Sequence, residues 1–168
     1  MRVMRVLLTL SLLELGIPAS IASATTLVLV KTESIARAAD RVAYGRVIAT
    51  ETRWDRGRIV TRVRLRPQTG GTDLWFELPG GTVDGVTMQV IGMPEFRLGE
   101  RTLVILARRS GRLRLVGLSE GKLAIVERGG REVVYLRLRD DGPLEAMALK
   151  AVISHLSAAI TDRGLSQP

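Results

Sequence analysis

From residue 41 to residue 139, hydrophobic and polar positions alternate with a period of two, in short runs separated by turn residues. In RVAYGRVIATET, Val42, Tyr44, Arg46, Ile48 and Thr50 fall on one side and Ala43, Gly45, Val47 and Ala49 on the other. This spacing predicts a largely buried strand, with small residues where a neighbour packs close. WDRGR (54–58) reads as a turn and IVTRVRLR (59–66) as the returning strand, with Ile59, Thr61, Val63 and Leu65 inward and Arg62, Arg64 and Arg66 outward. The same grammar recurs twice: 101–109 turns at Ser110-Gly111 into 112–118, and 122–128 turns at Gly129-Gly130 into 131–139. DLWFEL (73–78) is a further short strand.

The flanks follow a helical period. Thr32 is placed to cap a short helix through Ala39. Near the end, Asp141-Gly142-Pro143 sets a proline at a first helical position, and Leu149, Val152, Ile153, Leu156 and Ile160 make one apolar face. A helix over 143–162 is therefore predicted, with Gly164 as its stop. Many short strands between two helices predict a mainly β protein, an antiparallel barrel or sandwich, with one domain spanning 25–168.

Ahead of that domain, MRVMR, the apolar run VLLTLSLLELG and Ala22-Ser23-Ala24 have the plan of a signal peptide over 1–24. Pro18 and the small polar cluster after it interrupt the run, so no membrane span is expected after cleavage. The expected location is periplasmic or secreted. The chain has no cysteine, which removes disulfides, a thiol nucleophile and thiolate metal ligands. With 4% aromatic residues, the core must rest on Val, Leu, Ile and Ala.

Charge adds one candidate. The net charge is +8, and Lys31, Lys122 and Lys150 are the only lysines, so arginine carries it. Arg56 and Arg58 lead into Arg62, Arg64 and Arg66 on one strand face, and Arg108, Arg109, Arg112 and Arg114 cluster at a second hairpin. Such a face is either a solvated surface or a site for a polyanion, acidic polysaccharide or nucleic acid.

A second candidate is LPGGTVDGVTMQVIGMPEFRLGER (78–101). Gly80 and Gly81 suit a tight reversal, Pro94 holds Met93 extended, and Phe96 is placed to plug the core beneath. The segment reads as an ordered loop over one end of the barrel, with Asp84, Met88, Met93, Pro94, Glu95 and Arg97 as the residues expected to meet a partner.

AADRVAYGRVIATETRW and the later Gly99-Glu100-Arg101-Thr102-Leu103-Val104-Ile105-Leu106 resemble elements of bacterial proteins related to tissue inhibitors of metalloproteinases and netrin-like domains. PGG (79–81), GxPxFxxGER (92–101) and VGLSxGK (116–122) resemble motifs of a group of exported bacterial proteins. The resemblance spans residues 27 to 140. It implies an OB-like barrel with an added C-terminal helix, and a protein partner such as a secreted matrixin-like metalloprotease. The animal inhibitors chelate zinc through an N-terminal cysteine, which this chain lacks.

Catalytic groups are sparse. His155 is the single histidine and is expected at the surface or in packing. TGGT (69–72) and PGGT (79–82) lack the Lys-Ser/Thr ending of a phosphate loop. Asp84, Glu95 and Glu100 are the remaining carboxylates near the loop, without the ligand spacing of a calcium site. The sequence thus points to a non-enzymatic exported binding module, with no cofactor or metal expected.

Overall fold

A computed structural model describes residues 31–165, with side chains through Asp162; the signal-peptide reading of 1–24 lies outside the described residues. Helix α1 (Thr32–Arg37) precedes β1 (Arg41–Asp55), β2 (Arg58–Pro67), β3 (Leu74–Pro79), β4 (Gly81–Val83) and β5 (Val86–Met88). There follow β6 (Arg101–Arg109), β7 (Arg112–Leu115), a 3-10 turn (Leu118–Gly121), β8 (Lys122–Arg128), β9 (Arg131–Arg137), β10 (Leu144–Ala148) and α2 (Leu149–Leu165). The protein is mainly β with two helices.

Eight strands form one sheet in the order β1-β2-β3-β7-β6-β8-β9-β10, and β6 also pairs with β1. The β3–β7 pairing is parallel and short, Phe76 opposite Leu113 and Glu77 opposite Arg114. The sheet runs on past β6 and ends at β10, so taken whole it is not a closed barrel. Four two-residue turns, Arg56-Gly57, Asp84-Gly85, Ser110-Gly111 and Gly129-Gly130, have positive φ at both positions. That conformation matches the twist of the strands it joins.

Two cores share β6. Val104 and Leu106 pack with Ala43, Val47, Val63, Leu65, Phe76 and Leu78. Leu103 and Ile105 face the other way, toward Leu136, Val152, Leu156 and both helices. A strand buried on both faces needs a continuous apolar run, and TLVILA supplies it.

β1 departs from simple alternation. Its register with β2 shifts between Val47 and Ala49, leaving Ile48 as a bulge. Val47 pairs with Leu65, but beyond the bulge it is Thr50 that pairs with Val63 and Thr52 with Thr61. The inward side therefore passes from odd to even positions, and Thr50 does not share a face with Val42 and Tyr44 as the pattern predicts. Gly45 is required beside this point: a Cβ there would lie 2.0 Å from the Arg66 carbonyl oxygen.

Both helix ends are corrected. Lys31, not Thr32, is the N-cap of α1, and the Thr32 hydroxyl instead accepts a hydrogen bond from the buried backbone N–H of Arg137 at 3.0 Å. The C-terminal helix starts at Leu149, not Pro143, and continues through Gly164 to Leu165. LEAMA (144–148) is rich in helix formers, yet it pairs along β9 from Leu144 opposite Arg137 to Ala148 opposite Val133. Completing the open edge of β9 overrides the local propensity.

Candidate functional site

The loop after β3 folds back as the small β4–β5 hairpin, and the chain then returns to β1, where Gly99 N–H donates to the Val47 carbonyl at 2.8 Å. Gly80 and Gly81, with φ of +100° and +130°, let it turn. A Cβ on Gly81 would fall 2.4 Å from Thr52 Cγ2 and 2.7 Å from Thr61 Oγ1, so its backbone lies directly on that threonine pair. The Thr61 hydroxyl donates to the Gly80 carbonyl at 2.7 Å.

Two anchors fix the far side of the loop. Phe96 packs edge-to-face on Phe76 with ring centroids 5.2 Å apart, as the plug that its scarcity and place in the sequence predict. Lys122, from the start of β8, reaches Glu100 at 2.8 Å, lies 4.6 Å over the Phe96 ring and donates to the Glu95 carbonyl. Ser119 N–H donates to the Gly92 carbonyl at 2.8 Å, and Arg97 N–H to Glu100 at 3.0 Å. The motifs at 92–101 and 116–122, separate in sequence, are thus one structural unit.

Between hairpin and loop lies a groove of about 710 Å³. Met88, Met93, Pro94 and Glu95 line it, four of the six residues expected to meet a partner. Met93 also packs partly against the core. Asp84 stands at the tip of the hairpin in a left-handed turn (φ 51°), and Arg97 is exposed behind the loop; neither lines the groove. Thr50, Thr52 and Thr61 line its floor and Ile91, 66% exposed, its rim. Sequence reasoning missed Thr50 and Thr52 as groove residues because the bulge at Ile48 has no signature in a single sequence.

The arginine face is differently arranged from the predicted stripe. Arg64 and Arg66 pair with Asp73 at 2.7 and 3.4 Å. Arg62 turns to Glu77 at 3.8 Å and stacks over Trp75 at 4.6 Å. Glu77, whose side chain is 7% exposed, also takes Arg53 at 3.1 Å and Arg112 at 3.2 Å. Arg112 reaches Asp55 at 2.9 Å as well. Its guanidinium is pushed above its ordinary pKa, first by hydrogen bonding to Glu77, then by the charges of Glu77 and Asp55. Arg56 and Arg58 sit apart, at the β1–β2 turn and the start of β2.

The carboxylates near the loop are occupied or dispersed. Glu100 is held by Lys122, and Glu95 and Asp84 are exposed on different segments. His155 lies between the helices, its Nε2 3.8 Å from Glu33. Among the described residues no group of three or more His, Cys, Asp or Glu is placed to hold a metal ion, and no helix is long and apolar enough to cross a membrane. Comparison with protein-family models, curated proteins and solved structures returned no match.

Proposed function

We propose that the protein is an exported, non-enzymatic binding module, built on an OB-like barrel, that seats a protein partner in the groove between the β4–β5 hairpin and the loop 88–96. The barrel reading rests on the pairings β1–β2–β3–β7–β6 and back to β1, with the one parallel contact at β3–β7. β8, β9, β10 and the helices are an addition outside it.

One observation carries the binding reading: a groove of about 710 Å³ whose wall is a loop fixed by half-buried anchors. The anchors Phe96, Glu100 and Lys122 spend their contacts inside the protein, while Ile91, Met88 and Pro94 present apolar surface to solvent. A wall fixed in advance lowers the ordering cost of association, and flexible methionines fit an apolar side chain of the partner. The threonine floor is polar without adding charge. A secreted matrixin-like metalloprotease is the partner that the resemblance favours. The polyanion alternative is weaker in its original form, because Arg62, Arg64 and Arg66 each face a carboxylate.

Capture from the producing cell's secreted and envelope fraction tests this. The exported chain, tagged at its C-terminus, is expected to retain a protein through high salt. The variant Met93→Ala/Glu95→Ala, folded to the same extent, is expected to release it. Equal retention by both proteins would remove the groove as the site.

A further inference from the structure

On the opposite side of β2 from the groove, β1, β2, β3 and the β6–β7 hairpin enclose a second concavity of about 370 Å³. Its charged lining is Arg53, Arg62, Arg108, Arg112 and Glu77, with Trp75 as one wall. We propose that this concavity is a binding site for a single oxyanion, a carboxylate or a sulfate carried on a larger ligand, and that Arg53, Arg62, Arg108 and Arg112 hold it.

The lining sets four arginines against one carboxylate: Arg53, Arg62 and Arg112 contact Glu77, Arg112 also reaches Asp55, and Arg108 stands beside them without touching Glu77. An unmatched cation next to a half-buried cluster carries a repulsion cost that a bound anion relieves. The arginines are also held in place in advance. Arg112 approaches both carboxylates through the same terminal nitrogen, Nη1, and Arg53 meets Glu77 through Nη2 alone. A guanidinium carries five N–H donors in a planar fork. Most of each fork is therefore uncommitted to Glu77, and Arg53 Nε is buried with no hydrogen-bond partner among the described residues. Trp75 orients Arg62 by stacking at 4.6 Å, so that guanidinium does not lie free in solvent. Arg108 Nη1 donates to the Gly111 carbonyl at 3.1 Å, and the Arg108 backbone N–H donates to the Asp40 carboxylate at 2.6 Å. Glu77 acts here as a positioning residue: it gathers arginines that would otherwise repel one another, and the excess charge selects an anion.

This site is independent of the groove and of its partner. It also differs from the predicted stripe, because Arg56 and Arg58 lie outside it and Arg64 and Arg66 belong to Asp73. The geometry fits one compact anion, not a tracked chain of phosphates, for which a continuous line of exposed cations would be needed.

The test is a titration of the full exported chain, followed by the NMR signals of the Trp75 indole and the Gly111 amide. Sodium sulfate and citrate are the simple probes; a heparin oligosaccharide and an oligogalacturonate separate a sulfated from a carboxylated source. Saturable shifts confined to these signals and their neighbours are expected, at constant ionic strength. Arg112→Gln and Arg108→Ala are each expected to weaken binding at least about tenfold, a loss of about 1.4 kcal/mol, while Arg56→Ala/Arg58→Ala leaves it unchanged. Arg108→Ala removes no contact to Glu77, so it decides the matter if Arg112→Gln unfolds. Shifts that do not saturate, that spread over the whole basic surface, or that persist in Arg108→Ala would overturn the proposal.

Discussion

Lys122 Nζ lies 2.8 Å from Glu100 Oε1 and 4.6 Å from the centre of the Phe96 ring. One lysine, 17% exposed at its side chain, thus closes the loop 92–101 onto the start of β8. Lys122→Met keeps the aliphatic stem but leaves Glu100, among the described residues, with the Arg97 N–H as its one partner. We expect a loss of about 1–3 kcal/mol in urea unfolding, the range for a half-buried carboxylate that loses a charged donor. Hydrogen exchange at the Ser119 amide, which bonds the Gly92 carbonyl, is expected to accelerate. Unchanged exchange there would mean that the loop is held without Lys122.

The bulge at Ile48 creates both candidate sites at once. Beyond it, Thr50 and Thr52 face the groove, and Arg53 and Asp55 face Glu77 and Arg112. Deleting Ile48 would exchange those faces, since the side-chain period of a strand is two. The deletion is expected to abolish cooperative unfolding, whereas Ile48→Ala costs below about 2 kcal/mol because the side chain is only half-buried. If the two variants prove equally stable, the register beyond the bulge is not what fixes the faces.

Most of the strands were legible because their patterning and turn chemistry agree: Arg56-Gly57, Ser110-Gly111 and Gly129-Gly130 each lie between alternating runs. Asp84-Gly85 is equally a hairpin signal, but its flanking runs of three residues are too short to register as strands. Two features were not legible. The partner of LEAMA is decided by the open edge of β9, a tertiary fact, and the bulge in β1 is decided by what lies across from it. At the arginine face, sequence places Arg62, Arg64 and Arg66 on one side of a strand, but Glu77 and Asp73 come from β3 and the segment before it. Which cations are neutralised is therefore written only in the strand pairing.

Gly45 tests the close approach of β1 and β2. With the Arg66 carbonyl oxygen 2.0 Å from where its Cβ would be, Gly45→Ala must push backbone against backbone. A loss of about 1–3 kcal/mol is expected from overpacking, read as a lower denaturation midpoint with an unchanged slope. A midpoint equal to that of the parent would show that the strands separate at this point without cost.

Glu77 is the hub of the arginine face, and its role can be isolated by a double-mutant cycle. Glu77→Gln keeps the shape and one oxygen acceptor but leaves Arg53, Arg62 and Arg112 gathered without a balancing charge. The single change is expected to cost about 1–3 kcal/mol, less than for a fully buried pair because the arginines are about 34–41% exposed and can rehydrate. Arg112→Gln alone removes partners from both Glu77 and Asp55 and should also destabilise. Together, however, the second change relieves repulsion that the first creates. The double variant is therefore expected to lose less stability than the sum of the single losses, a non-zero coupling in chemical unfolding. Strict additivity would mean that Glu77 and Arg112 share no energetic unit, and the carboxylate would then be no organiser of the cluster.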